Sequence, residues 1–114
     1  MIIIREPLTL VDLQTMAKSR FGNLVKAVVD LKRTIMALDA ELHADEEAAL
    51  IADGSNQADL WGINLYPDAE SDNFIEFDSM INLRPSVGNV SRGVENADIR
   101  KQIVHIVDQL ILRS

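Results

Sequence analysis

The stretch LVKAVVDL (Leu24–Leu31), the basic pair Lys32-Arg33 and the following TIMALDAEL (Thr34–Leu42) decide the fold. β-branched and apolar residues crowd the first run, two basic residues interrupt it, and the second run alternates, which is the pattern of an antiparallel hairpin. Side chains on a strand point to opposite faces in turn, so Met36, Leu38, Ala40 and Leu42 are expected on a buried side and Asp39, Glu41 and His43 on the other.

Toward the N-terminus, Ile2 to Ile4 reads as a short strand stopped by Pro7. A helix follows, with Thr9 and Asp12 as a capping pair, Leu10, Leu13, Ala17 and Phe21 at helical spacing, and Gly22 as its stop. Toward the C-terminus, Glu46 and Glu47 open a short helix capped by Ala44 or Asp45 and closed by Gly54. LWGINLY (residues 60–66) and FIEFDSMINLR (residues 74–84) read as two more strands, in the second of which Ile75, Phe77, Ile81 and Leu83 alternate with Glu76, Asp78, Asn82 and Arg84. A closing helix from about Ala97 to Leu112 carries the stripe Ile99, Ile103, Ile106, Val107 and Leu110. The order βαββαββα predicts an α+β protein: a two-layer sandwich with a mostly antiparallel sheet of about five strands, two main helices on one face, and residues 1–114 as a single domain. The opposite sheet face is then expected to be polar and uncovered.

Apolar residues make up 47% of the 114 and charged residues 25%, the balance of an ordinary globular chain. The absence of cysteine excludes disulfides, thiolate nucleophiles, iron–sulfur clusters and Cys-based zinc sites. No apolar run approaches the roughly 20 residues of a membrane span, and the opening MIIIREP is too short for a signal core, so a cytoplasmic location is expected. The net charge of −7 argues against a nucleic-acid partner. Charge is also segregated: residues 34–83 hold twelve of the eighteen acids and none of the eleven Lys and Arg. Such a segment needs the basic flanks, or a bound cation, beside it.

Alternation gathers Lys26, Asp30, Asp39, Glu41, His43, Asn64, Tyr66, Glu76, Asp78, Asn82 and Arg84 on the polar face, as a ligand platform or simply as solvated surface. Glu41, His43 and Asp45, spaced i, i+2, i+4, offer one imidazole and two carboxylates to a divalent metal if the strand runs that far. The structural alternative for Asp45 to Glu47 is a helix N-terminus favoured by the macrodipole. His105 falls opposite the apolar stripe of the last helix and reads as surface. The loop Gly88 to Gly93 has phosphate-loop spacing, but Val94 and Glu95 stand where Lys and Ser or Thr are needed, which excludes an NTPase. A weaker anion cradle remains, built from backbone around Gly88 and Gly93 with Arg84, Arg92 and Ser91; the alternative is a plain turn. Trp61 reads as core.

In order along the chain, ELHADEE (41–47), LWGINLYP (60–67), DSMINLRP (78–85) and GNVSRGVE (88–95) resemble a family of small prokaryotic proteins known only as a domain of unknown function. The resemblance implies a stand-alone domain and brings no activity, substrate or catalytic residue. The function expected is that of a non-enzymatic binding or protein-interaction domain, using the polar sheet face and the 85–95 loop, with Glu41, His43, Asp78, Asn82, Arg84 and Arg92 as ligand-binding candidates. The alternative is a small metal- or anion-dependent enzyme centred on His43 with nearby carboxylates, Arg84 and Arg92. No cofactor is expected; the partner is a protein or small molecule, with a homo-oligomer left open and neither membrane nor nucleic acid implicated.

Overall fold

A computed structural model describes residues 1–113; Ser114, the last residue of the expected 1–114 domain, lies outside the described residues. The hairpin that decides the fold forms as β3 (Val25–Asp30) and β4 (Ile35–Leu38). Its turn is held by Asp30, whose Oδ1 accepts from the backbone of Lys32 and Arg33 at 2.9 Å each. With β1 (Ile2–Ile4), β5 (Leu60–Leu65) and β6 (Ile75–Glu76) it builds a five-stranded antiparallel sheet in the order β1-β4-β3-β5-β6. Helix α1 (Leu10–Arg20) starts where Thr9 Oγ1 accepts from Asp12 N–H and stops at Gly22, whose φ of 93° places it in the left-handed region that suits glycine. Helix α3 (Ala97–Leu110) is capped by Asn96 and ends two residues before the sequence suggests. Its continuation β7 (Ile111–Leu112) pairs in parallel with β2 (Leu8–Thr9), which ties the two chain ends together. Among the described residues no helix is long and apolar enough to cross a membrane.

Leu13 and Ala17 of α1 and Ile103, Ile106, Val107 and Leu110 of α3 pack with Val25, Met36, Ile63 and Phe74 into the main core, so both long helices share one sheet face. Trp61 belongs to the same core. The opposite face is not left open, contrary to the expectation from alternation. Helix α2 (His43–Ala52) crosses it and buries Leu50 against Val28, Ile35, Ala37 and Leu60, with Ile3 and Ile81 packed around them. The physical reason lies in β3 to β5, where both alternate sets hold apolar side chains: Val28, Ile35, Ala37 and Leu60 would be exposed without a cover.

Two boundaries differ from alternation. β4 ends at Leu38 because Asp39 adopts φ 70°, and Arg20 reaches its carboxylate at 3.2 Å. The parity of the strand is lost there. Leu42, expected inside, becomes the N-cap of α2 at 56% exposure, whereas His43, expected outside, is 8% exposed. The last strand, expected over residues 74–84, joins the sheet at Ile75 and Glu76, and Arg84 makes a separate bridge to Asn89. Beyond it the chain makes 3-10 turns at Met80–Asn82 and Pro85–Val87, so the remaining alternation of Ile81, Asn82, Leu83 and Arg84 does not mark a strand.

Candidate functional site

Asn82 stands in for the missing strand. Fully buried, it accepts from Gly62 N–H at 2.8 Å and donates to the carbonyls of Gly62 at 2.9 Å and Arg92 at 3.0 Å, copying with one amide side chain the paired bonds of a ladder. The approach depends on Gly62, where a Cβ would come within 2.5 Å of the Ser79 Cβ. Ser79 N–H adds a bond to the Arg92 carbonyl at 2.9 Å. Asn89 organises the following loop from its centre: its Nδ2 donates to the carbonyls of Asn82, Ser91 and Gly93, and its Oδ1 accepts from Glu95 N–H. The Gly88–Gly93 loop thus turns carbonyls inward around its own asparagine. The N–H groups of Gly88, Val90 and Gly93 are taken by the Pro85 carbonyl, Glu95 Oε2 and Ser91 Oγ, which leaves an anion cradle without those donors.

This framework sets residues 78–92 opposite the first turn of α2 and leaves a cleft of about 210 Å³. Lys26, His43, Asn64, Asp78, Ser79 and Arg92 give its polar lining, and Leu42, Ala44, Met80 and Ile81 its apolar lining. Of the ligand-binding candidates, then, His43, Asp78 and Arg92 come together. Arg92 Nε lies 2.8 Å from Asp78 Oδ1. His43 Nε2 meets the Ile63 carbonyl at 2.7 Å; since a carbonyl only accepts, Nε2 carries the proton and a neutral ring keeps Nδ1 as an acceptor. Burial, the largest influence, lowers the His43 pKa from its usual value and Lys26 adds to this, against the opposing pull of the Ile63 carbonyl, Asp78 and Asn64. Asn64, paired in register with Lys26, gives both amide hydrogens away, to Glu76 Oε1 at 2.9 Å and the Asp78 carbonyl at 3.3 Å. Its Oδ1 is buried with no hydrogen-bond partner.

The other candidates are elsewhere. Glu41 is exposed and faces Arg20 at 3.6 Å, and with β4 ending at Leu38 it does not share a strand side with His43 and Asp45. Among the described residues no group of three His, Asp or Glu side chains is placed to hold a metal, so the Glu41-His43-Asp45 set is corrected. Asn82 is scaffold. Arg84 turns inward, donating to the Leu60 carbonyl at 2.6 Å with its guanidinium 4.8 Å from the Trp61 ring centre and 3.7 Å from Glu47. It borders a second cleft of about 440 Å³ with Glu47, Leu83 and Val87, which adjoins the first across Met80 and Ile81.

Sequence reasoning misses Glu46. It is fully buried, Oε2 accepts from Ala40 N–H at 3.0 Å, and Oε1 has no partner. Burial, the largest cause, pushes its carboxyl up to about 9 against the Ala40 bond and Lys26, so at neutral pH it is protonated. A carboxylate in the first turn of a helix is ordinarily read as solvated, and no local signal marks this one as buried.

A family model described as "Protein of unknown function (DUF5674)" matches residues 2–110. No curated protein matches the chain, and no solved structure does.

Proposed function

We propose, for a chain that belongs to the family DUF5674, whose function is unknown, that it is a non-enzymatic binding domain that docks a partner protein over the two adjoining clefts. One observation carries the reading. Leu42, Met80, Leu83, Val87 and Val90 are exposed apolar side chains drawn to the α2 N-terminus and the 80–90 segment, and Leu42, Met80, Leu83 and Val87 line the two clefts. Exposed apolar residues are ordinary when scattered; gathered along a groove on a braced segment they mark an interaction surface. The Asn82 and Asn89 networks supply the rigidity that reduces the ordering cost of binding. We place the protein in the prokaryotic cytoplasm, with a net charge unsuited to nucleic acid.

A photo-crosslinking residue at position 80 or 87, with controls at Val11 on α1 and Val104 on α3, tests the surface. Adducts with one defined protein, a second copy of this chain included, are expected at 80 and 87 and not at the controls. The purified partner should then lose at least ten-fold in affinity for Leu42→Asp. Equal adduct formation from both faces would sink the reading.

A second reading, a small metal-free enzyme, draws on Nδ1 of His43 as a general base beside Ser79 and Asp78. It is favoured over docking if a turnover activity is lost in His43→Gln and kept in Leu42→Asp.

A further inference from the structure

The lining of the smaller cleft is unpaired in a selective way. Arg92 spends Nε on Asp78, which orients the guanidinium, and neither terminal nitrogen has a hydrogen-bond or ion-pair partner among the described residues. Lys26 has no carboxylate within ion-pair distance there; its ammonium lies 5.3 Å from the Phe21 ring centre. The first turn of α2 opens onto the same space without a side-chain cap. Together these are positive charge and free donors, which suit a carboxylate. Beside them is a buried acceptor with no hydrogen-bond partner, Asn64 Oδ1, in a residue only 7% exposed and next to the His43 ring. Burying an unpaired acceptor is costly, so a neutral N–H brought by a ligand would be held strongly. The apolar wall of Leu42, Met80 and Ile81 completes the lining.

We propose that this cleft captures the C-terminal end of a partner polypeptide: its carboxylate between Lys26 and Arg92, its last amide N–H toward Asn64 Oδ1, and an apolar last side chain against Leu42 and Met80. This rests on the docking reading above and names the chemistry of the partner. Three features select it. At about 210 Å³ the cleft is smaller than the roughly 300–1,000 Å³ of sites for drug-sized ligands, which fits one end group. The unpaired acceptor, Asn64 Oδ1, is uncharged, which suits an amide N–H, while the ammonium of a free amino acid would face Lys26. The adjoining cleft beyond Met80 lets the preceding residues continue along the surface. Capture of a terminal carboxylate by backbone and basic groups is an established mode of peptide recognition.

The test titrates three probes into the labelled full chain and follows backbone and side-chain amide signals: N-acetyl-Gly-Leu with a free carboxylate, the same dipeptide as its C-terminal amide, and free leucine. The free acid is expected to shift His43, Ala44 and Asn64 with at least ten-fold higher affinity than the other two. Lys26→Gln and Arg92→Gln should each weaken it about five-fold, with the signals of α1 and α3 unmoved. Equal binding of acid and amide, shifts centred elsewhere, or no binding overturns the peptide-terminus assignment. Leucine binding as tightly as the acid reassigns the site to a free amino acid and overturns it as well. The docking reading fails separately, by equal crosslinks from both faces.

Discussion

The proton on Glu46 sets a pH dependence opposite to that of an ion-paired acid. Its folded pKa of about 9 lies above the unfolded value of 4.5, so between those limits the folded state holds a proton that the unfolded state has released. Its contribution to stability is therefore full below pH 4.5 and falls as pH rises toward 9, by at most ~1.4 kcal/mol per pH unit. Glu46→Gln should flatten urea-derived stability between pH 7 and 9 by about 1 kcal/mol per unit; an unchanged slope would mean that the acid titrates normally. His43, with a lowered pKa, destabilises as pH falls below 6.5, which lies outside the window of pH 7 to 9. Next to it, truncation of His43 to Ala should cost about 1–3 kcal/mol, since the Ile63 carbonyl loses its buried donor. Leu42→Ala, at an exposed cap, should cost under ~0.5 kcal/mol. Strand alternation demands the reverse ranking, and two chemical melts decide between them.

At the scale of elements, α2 and the 79–92 segment are the pieces that shape the clefts, and each is held by a feature that can be removed. Leu50 is the one α2 residue in the second core cluster, and Leu50→Ala should destabilise by about 2–4 kcal/mol through lost transfer energy and a cavity. A cost below ~0.5 kcal/mol would mean that the helix does not cover this face. Asn82→Ala strands the Gly62 N–H and carbonyl and leaves the Arg92 carbonyl only its Ser79 bond, so a loss of ~2–4 kcal/mol is expected, together with faster hydrogen exchange at Gly62 and Ser79. Exchange unchanged at both amides would remove Asn82 from its role as a surrogate strand.

For the molecule as a whole, the segregated charge closes on itself. Six of the seven ion pairs among the described residues join a basic flank to the acidic centre: Arg5 and Arg33 to Asp53, Arg20 to Asp39 and Glu41, Arg84 to Glu47 and Arg92 to Asp78. Each exposed pair is worth little, about 0–1 kcal/mol, yet together they relieve the repulsion that twelve acids would otherwise feel. Folding is then expected to need no added cation. A single cooperative transition with net stability on the order of 5–10 kcal/mol is expected, unchanged in EDTA. Loss of cooperativity with chelator would reveal an ion that the ion pairs do not replace.

Local periodicity was enough to settle the order of the large elements, the hairpin of β3 and β4, the caps at Thr9 and Gly22, and the stripe of α3, because a period of 2 or 3.6 and a turn residue act over a few neighbours. Charge segregation was equally plain, though not which arginine meets which acid. His43, Asp78 and Arg92 could be named as candidates from residue type, but their meeting in one cleft was decided by contacts between residues far apart in sequence. Asp39 leaves the strand in a left-handed conformation that no neighbour announces. Glu46 is buried because α2 crosses the sheet. Residues 75–84 alternate like a strand, yet Asn82 satisfies Gly62, 20 residues away, and the chain turns instead. Such choices are made by burial and hydrogen bonding across the tertiary structure, where a few kcal/mol of long-range contact outweigh the ~1 kcal/mol span of local strand preference.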